Sequence, residues 1–257
     1  MAQHNKTILD MSVTANDRLG QLYSLLKLRP VNGTMPAIEA GQFVQVEIMD
    51  SKTTYLRSPI SVNNVVDNEL WLLVRKAGDG TRHLAESMTG DIINVVLPLG
   101  HGFTIPSSPR KMLLVGGGVG VAPLLYFGRI LSQKGIHPTF LLGARSASDL
   151  LMIDEFKSVG DVCLSTEDGS AGEKGLVTTN SILSERFDMI ACCGPMPMMK
   201  AVAAIASEKN VDCEVSLENM MACGLGACLC CVEKDSAGHN VCVCTEGPVF
   251  NIKKLSW

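Results

Sequence analysis

The distribution of cysteines near the C-terminus constrains this chain more than any other feature of its sequence. Six of the ten cysteines in the 257-residue chain lie between Cys223 and Cys244. Cys223, Cys228 and Cys231 follow the pattern C-x4-C-x2-C, and a further cysteine stands at position 242 or 244. Three thiols in so short a segment can converge only if one tight loop curls around whatever they bind.

This spacing is the one with which the plant-type 2Fe–2S sites begin. Gly224 and Gly226 suit the loop, because glycine reaches positive φ cheaply and lets amides approach cluster sulfurs. A structural zinc site usually has two C-x2-C pairs, whereas this chain offers one such pair and a C-x-C. Disulfides suit small secreted domains. We therefore interpret the segment as an iron–sulfur site with four thiolate ligands.

Spacing alone leaves the ligand set open. If Cys223, Cys228 and Cys231 are ligands, Cys230 is an extra thiol. Position 242 and position 244 are equivalent as the fourth ligand, because alternate residues on a strand share a face. Three other cysteines lie in apolar runs and fit buried, inert thiols: Cys163, Cys192 and Cys213.

Composition limits the classes of function. Hydrophobic residues make up 46% and charged residues 19%, which predicts a sizeable core and a length sufficient for two compact domains. A net charge of −4 without a long basic run lacks the electrostatic footprint of nucleic-acid binding. The N-terminus has no apolar signal core, and no apolar run makes a comfortable membrane span, so we expect a cytoplasmic protein that enters no membrane.

The first hundred residues predict a small antiparallel β-barrel, because short β-branched segments alternate with glycine-containing turns. The predicted strands cover residues 7–13, 42–49, 60–65, 70–75 and 91–97, and the one predicted helix covers residues 80–88. Two segments could contact phosphate: residues 56–61, with an arginine ahead of a proline, and residues 76–82, where a glycine turn leads into a helix. A sheet-edge arginine and an ordinary β-to-α turn would look the same.

A proline- and serine-rich stretch at residues 106–110 predicts a domain boundary. The apolar run 111–115 then leads into the glycine-rich residues 116–120 and a helix to about residue 131, the pattern of a dinucleotide site. The match to G-x-G-x-x-G is imperfect, since Val121 or Pro123 falls on the third glycine. Apolar runs at 139–142, 162–165, 189–193 and 212–217 predict a parallel sheet with helices on both faces. No catalytic triad is present, and we assign no catalytic side chain.

Taken in order, these landmarks resemble the ferredoxin reductase superfamily and, within it, the electron transfer subunits of dihydroorotate dehydrogenase B. The most specific match is M-A-C-G-L-G-A-C-x-x-C at residues 221–231, followed by V-C-T-E-G-P-V-F at residues 243–250. In that family the cysteine just ahead of Gly-Pro-Val-Phe is the fourth ligand. The resemblance therefore implies this set of metal ligands: Cys223, Cys228, Cys231 and Cys244.

The resemblance also implies three segments: an FAD-binding antiparallel β-barrel over residues 1–105, an NAD-binding parallel-sheet α/β domain over 106–217, and a 2Fe–2S segment over 218–257. The implied flavin residues are Arg57, Ser58, Pro59, Ile60, Ser61, Leu73, Val74, Arg75, Gly80 and Thr81. The implied nicotinamide nucleotide residues are Gly116, Gly117, Gly118, Gly120, Pro123, Cys193, Gly194 and Pro195.

Two departures from the family pattern stand out. The flavin motif reads R-P-[IL]-S in the family, but Ser58 occupies the arginine position here and Arg57 directly precedes it. Which of the two contacts the flavin phosphate is left open. Arg145 and Ser146 could accept a 2′-phosphate, so NADP is an alternative to the NAD that the family uses.

The function that the resemblance implies is electron transfer in pyrimidine biosynthesis. The chain would be the oxidoreductase subunit that carries FAD, a 2Fe–2S cluster and NAD, in a heterotetramer of two plus two with an FMN-containing catalytic dihydroorotate dehydrogenase subunit. Two alternatives are kept. One is the small subunit of an NADPH–ferredoxin or sulfide oxidoreductase, and the other is a zinc-stapled binding module on the same scaffold.

Overall fold

A computed structural model of the chain describes residues 6–49, 51, 53–108 and 110–257. The expectation about the extreme N-terminus concerns residues that lie mostly outside this description, and so does Pro109 of the predicted boundary segment. Among the described residues, no helix is long and apolar enough to cross a membrane.

The N-terminal part is a closed six-stranded antiparallel barrel, as the turn-punctuated pattern predicts, with strand order β1-β2-β5-β4-β3-β6. Its strands are β1 (Thr7–Leu19), β2 (Tyr23–Pro30), β3 (Phe43–Val46), β4 (Ser58–Val66), β5 (Glu69–Arg75) and β6 (Ile92–Leu99), and helix α1 (Asp79–Leu84) connects β5 to β6.

The largest differences from the prediction in the barrel are a longer strand β1, an additional strand β2 and a shorter helix α1. Strand β1 runs past Val13 because a bulge between Val13 and Ala15 lets its polar second half keep pairing with β2. Strand β2 was not predicted, because cationic residues interrupt its leucines and the strand contains no β-branched residue. Helix α1 ends at Leu84 rather than at residue 88. After the helix, the Asn16 side-chain amide donates hydrogen bonds to the carbonyl oxygens of Ala85 and Ser87.

The second part is a seven-stranded sheet with strand order β10-β9-β8-β7-β11-β12-β15. All neighbours are parallel except β15, which runs antiparallel to β12. The strands are β7 (Met112–Gly117), β8 (Pro138–Ala144), β9 (Asp161–Thr166), β10 (Glu173–Lys174), β11 (Met189–Cys193), β12 (Asp212–Ser216) and β15 (Val249–Asn251).

Helices cover both faces of this sheet, as predicted. The helices are α2 (Ala122–Gln133), α3 (Ile153–Lys157) and α4 (Met196–Glu208). Met112 and Leu114 of β7 share one core cluster with α2, while Leu113 and Val115 share a second cluster with α4. Continuous apolar strands are expected where both faces of a parallel sheet are buried. Short 3-10 turns complete the part: Gly118–Val121, Ala147–Asp149, Val177–Thr179, Ser181–Ser184 and Ile252–Lys254.

The cysteine-rich segment forms a loop, a small hairpin and a helical turn before it joins the sheet. The hairpin strands are β13 (Val232–Lys234) and β14 (Asn240–Cys242), and the turn is α5 (Val243–Glu246). The expectation that Cys242 and Cys244 share one strand is wrong, because Cys242 ends β14 and Cys244 lies in α5. The Glu246 carboxylate accepts the Cys242 amide at 2.9 Å and closes this turn.

Buried contacts hold the barrel against the sheet. The Asn63 side chain on β4 donates to the Ala122 carbonyl oxygen at the start of α2, 3.1 Å away. In the connection between barrel and sheet, the backbone amide and hydroxyl of Thr104 donate to the two carboxylate oxygens of Glu214 at 2.9 and 2.6 Å. Glu214 is 8% exposed, so these bonds satisfy a carboxylate that has little access to water.

Replacing Thr104 with valine keeps its shape but removes the hydroxyl donor to Glu214. We expect Thr104→Val to cost about 1–2 kcal/mol, because a nearly buried carboxylate oxygen loses its partner. In a thermal unfolding experiment this corresponds to a midpoint about 2–6 °C lower. Thr89→Val is the control, since Thr89 is exposed. Equal midpoints for the two variants would mean that the Glu214 contact does not stabilise the connection.

Candidate functional site

The cysteine loop orders three thiols through backbone amides. Gly224, Gly226 and Leu229 have φ values of +68°, +80° and +59°, which curl the loop back on itself. The curled backbone places four amide nitrogens 3.2–3.4 Å from thiol sulfurs. The pairs are Leu225 N with Cys223 Sγ, Cys228 N with Cys223 Sγ, Gly226 N with Cys244 Sγ, and Cys244 N with Cys231 Sγ.

The electrostatics of this loop differ between its two sides. The amides of Leu225 and Cys228 lower the pKa of Cys223 to about 6, so this thiol ionises readily. Burial and the hydrogen bond with Cys231 raise the pKa of Cys244 to about 12. Cys231 and Cys244 are buried, whereas Cys228 is exposed. The loop thus has a dry side toward the protein and an open side toward solvent.

This donor set fits an iron–sulfur cluster. Three of the free thiols, those of Cys223, Cys231 and Cys244, accept hydrogen bonds from backbone amides, and such donors stabilise the negative charge of a cluster. Among the described residues, Cys228, Cys230 and Cys242 accept no amide hydrogen bond of this kind, so the choice of Cys228 rests on the C-x4-C-x2-C spacing. The hydrogen bonds support Cys223, Cys231 and Cys244, and the full ligand set of Cys223, Cys228, Cys231 and Cys244 stays a prediction.

The buried side of the loop lies against the barrel. Cys231 and Cys244 belong to the same core cluster as Phe43 of β3 and Leu99 of β6. A Cβ on Gly224 would lie 2.9 Å from the Gln45 Cγ atom, so the loop backbone touches β3 directly. The buried thiols therefore lie in the interface between the cysteine loop and the barrel.

The segments predicted to bind the flavin meet at one end of the barrel. The first four residues of β4 are only half-buried: Ser58, Pro59, Ile60 and Ser61. They leave a strip of the strand that a ring system could cover. The Ser58 hydroxyl lies 3.3 Å from where a Cβ on Gly80 would be, which brings the start of β4 next to α1.

The turn into α1 and the end of β5 complete this group. The Thr81 hydroxyl oxygen accepts the amides of Ala77 and Gly78 at 3.0 and 3.1 Å and so orders the glycine turn. Leu73 and Val74 are buried in β5, and Arg75 at the end of the strand lines a cleft toward the sheet. These residues suit a flavin that lies across β4 and β5.

Arg57 does not lie with the other residues predicted to bind the flavin. Its guanidinium donates to the Asn94 carbonyl and side-chain oxygens at 2.9 and 2.6 Å and lies 3.7 Å from a Glu47 carboxylate oxygen. At the start of α1, Asp79 accepts hydroxyl hydrogen bonds from Thr53 and Ser51, which lower the pKa of its carboxyl group. The predicted phosphate end of the flavin site thus offers hydroxyls and amides at Ser58 and Thr81, without the family's arginine.

A cavity of about 640 Å³ opens at the carboxyl ends of β7, β8, β9 and β11, between the sheet and the barrel. This is the edge where parallel α/β sheets bind nucleotides. Its lining includes the predicted nucleotide residues Gly117, Gly118, Gly120, Gly194 and Pro195. The barrel contributes Leu22, Tyr23 and Arg75, so the cavity reaches the predicted flavin strands.

The glycines of the turn after β7 have two separate roles. A Cβ on Gly120 would lie 2.5–2.6 Å from the backbone of Cys193 and Gly194, so only glycine lets the two loops touch. Gly118 has a φ of +56° and nothing within 4 Å of its Cβ direction, so it faces open space. Val121 and Pro123, which replace the motif's third glycine, are buried where the helix begins.

Sequence reasoning missed several residues of this cavity, among them Tyr23 and Glu218. Tyr23 begins the unpredicted strand β2. Glu218 follows the carboxyl end of β12, a position that by itself marks a ligand site in such sheets. Burial raises the pKa of the Glu218 carboxyl group and Arg75 opposes this shift. Cys193, whose Sγ lies 3.9 Å from a Glu218 carboxyl oxygen, has its pKa raised far above the usual range by burial.

Comparison with known proteins gives the family. The model described as the iron–sulfur cluster binding domain of dihydroorotate dehydrogenase B matches residues 218–256, and the oxidoreductase NAD-binding domain matches residues 114–204. The dihydroorotate dehydrogenase B (NAD(+)) electron transfer subunit of Caldanaerobacter subterraneus subsp. tengcongensis is 39% identical over 216 residues, 82% of this chain and 84% of the relative. The chain belongs to the family of dihydroorotate dehydrogenase B electron transfer subunits.

Other members and a solved structure agree with this assignment. The electron transfer subunit of Bacillus velezensis is 40% identical over 227 residues, 85% of this chain and 87% of the relative. The solved structure of an NADH-dependent reduced ferredoxin–NADP oxidoreductase superposes with a TM-score of 0.86 at 30% identity, over 96% of this chain and 90% of that chain. The predicted fold and the cofactors FAD, NAD and a 2Fe–2S cluster are confirmed. The segment boundaries and individual site residues stay predictions.

Gly120→Ala tests the contact between the two nucleotide loops. Because the added Cβ would overlap backbone atoms, we expect the loops to separate and the binding of NADH to weaken at least severalfold. The measurement is the rate of flavin bleaching by NADH under anaerobic conditions, as a function of NADH concentration. Gly135→Ala is the control, since Gly135 has nothing within 4 Å of its Cβ position, and the strain from its positive φ of +76° stays outside the cavity. Equal rates for both variants would contradict the proposed contact.

Two pairs of serine variants test the ligand set. We expect Cys228→Ser and Cys244→Ser to lose the visible absorbance of the cluster while FAD stays bound, because each removes one of the four predicted thiolate ligands. Cys230→Ser and Cys242→Ser are the matched controls and should keep the cluster. Absorbance spectra with iron and sulfide analysis decide the matter. Loss of the cluster in a control variant would mean that the fourth ligand or the loop ligand is misassigned.

Proposed function

We propose that this subunit transfers electrons between a dihydroorotate-oxidising partner and NAD in pyrimidine biosynthesis. The observation that carries the proposal is the contiguity of three sites around one barrel. The thiol loop packs on Phe43 of β3, the flavin strip lies on neighbouring β4, and the nucleotide cavity includes Arg75 at the end of β5. Bound FAD supplies the chemistry that joins one-electron to hydride transfer.

The chain's own residues hold these groups in a fixed order. The Gly116–Gly120 turn and the Cys193–Pro195 loop hold the nucleotide against the barrel. Cys193 is buried behind this loop, and Arg75 and Glu218 line the side of the cavity nearest the flavin strands. The amides of the thiol loop stabilise negative charge at the other end.

The open side of the thiol loop suits a partner subunit. Leu225 and Leu229 are 50% and 62% exposed beside the exposed Cys228, an apolar rim around the redox end of the molecule. Exposed apolar residues clustered in this way favour a protein interface. We propose that the FMN-containing catalytic dihydroorotate dehydrogenase subunit binds here, in a heterotetramer of two plus two. A reducing cytoplasm would keep the free thiols available for iron.

NAD rather than NADP is the proposed nucleotide. Arg145 lines the cavity, but Asp149 and Glu167 line it as well. The Ser146 hydroxyl donates to the Asp149 carboxylate at 2.9 Å and is therefore engaged. The two carboxylates that line the cavity together with Arg145 disfavour the doubly charged 2′-phosphate of NADP.

A second candidate function follows from one comparison. The NADH-dependent reduced ferredoxin–NADP oxidoreductase structure covers 96% of this chain, so a role as the small subunit of such an enzyme is the alternative. The higher identity to dihydroorotate dehydrogenase B subunits and the match of residues 218–256 favour the first function.

The deciding experiment is anaerobic purification of the native complex, followed by activity measurement. We expect an FMN-containing partner, about two iron and two acid-labile sulfide atoms per chain, and dihydroorotate-dependent reduction of NAD that needs both subunits. NADP should be reduced much more slowly. A larger two-cluster flavoprotein partner, without dihydroorotate activity, would instead establish the alternative.

A further inference from the structure

Gln45 is a buried amide without a partner. Its side chain is 1% exposed, and neither Oε1 nor Nε2 has a hydrogen-bond partner among the residues that the structure describes. Burying an unsatisfied amide costs about 1–3 kcal/mol. An apolar side chain would avoid this cost in the polypeptide alone, so the amide points to a group that the polypeptide does not supply.

The strand geometry gives the direction of this amide. Val44 and Val46 belong to the barrel core, whereas Phe43 belongs to the cluster that contains Cys231 and Cys244. Because side chains alternate along a strand, Gln45 lies on the same outer face of β3 as Phe43. It therefore points out of the barrel toward the cysteine segment.

Gln45 touches both proposed cofactor regions. A Cβ on Gly224 would lie 3.1 Å from Gln45 Nε2, and Gly224 directly follows the thiolate Cys223. On the other side, Gln45 is paired with Pro59 of the half-buried flavin strip on β4. Directly paired residues on antiparallel strands share a face, so Gln45 lies between the flavin strip and the cysteine loop.

We propose that the Gln45 side-chain amide donates a hydrogen bond to the sulfur of the iron–sulfur cluster on the Cys223 side. In this position it is a positioning and tuning residue for electron transfer between cluster and flavin. The inference rests on the proposed function, since it requires that the loop holds a cluster. An N–H donor stabilises the more negative, reduced form, so the Gln45 amide raises the cluster's reduction potential.

Gln45→Met tests the proposal, because methionine fills a similar volume without an N–H donor. We expect the purified holoprotein to keep FAD, iron and sulfide at wild-type content. In a redox titration monitored by the electron paramagnetic resonance signal of the reduced cluster, the midpoint potential of the cluster should be more negative than in the wild type. The iron–sulfur stretching bands in resonance Raman spectra should shift as well. A purely structural role for Gln45 would move neither quantity.

Asn64→Leu is the matched control. Asn64 is also 1% exposed with an unpartnered amide, and it lies in the same barrel but opposite Trp71. We expect Asn64→Leu to leave the cluster's potential unchanged. If Gln45→Met does not assemble, Gln45→Leu serves instead, since it also removes the N–H donor without adding a charge and should shift the potential in the same direction.

The outcomes separate this inference from the proposed function. An unchanged cluster potential at full cluster content, in whichever Gln45 variant assembles, would overturn the inference and leave the function intact. A shift in the flavin potential alone would also overturn it, because the amide would then serve the flavin. A wild-type protein that is free of iron when prepared without oxygen would overturn the proposed function itself.

Discussion

The whole arrangement depends on the attachment of the cysteine segment at two places. At the end of the barrel, the His101 amide donates to the Gly247 carbonyl oxygen at 2.6 Å, and Gly100 has no room for a side chain there. At the sheet, β15 pairs with β12, and the Leu217 amide donates to the Pro248 carbonyl oxygen at 2.9 Å. The loop that carries the thiols is therefore held between two rigid bodies, and its distance from each is set by backbone contacts.

Polar groups are distributed unequally between the two ends of the redox site. At the cysteine loop, backbone amides supply the positive side of the hydrogen bonds, and Cys231 and Cys244 are shielded from water. At the nucleotide cavity, charged side chains remain, with Arg75 close to the carboxyl group of Glu218. Rigid dipoles suit a resident cluster that must change charge with little rearrangement, whereas longer charged side chains suit a nucleotide that enters and leaves.

The sequence predicted those parts of the site that depend on local structure. The C-x4-C-x2-C spacing predicts the cysteine loop because the ligands are close together in the sequence. The run of apolar residues in β7 predicts that this strand is buried. Strand β2 was missed because Lys27 interrupts it, although the ammonium group lies 4.6 Å from the Trp71 ring centre. Gln45 had no local signature, since its surroundings come from elements far away in the chain, whereas the position of Glu218 just after β12 was a signal that the sequence reasoning did not use. The choice of Cys244 required the resemblance, because spacing could not reveal the helical turn.

The pairing of β15 with β12 also affects how the protein remains soluble. Without β15, one long side of β12 would present free backbone donors and acceptors, and such an edge invites strands of other molecules. The residues that close this edge follow directly after Cys244 in the chain. The segment that carries the thiols therefore also closes the edge of the sheet, so one short stretch of chain serves both the redox site and the protection of the sheet from intermolecular pairing.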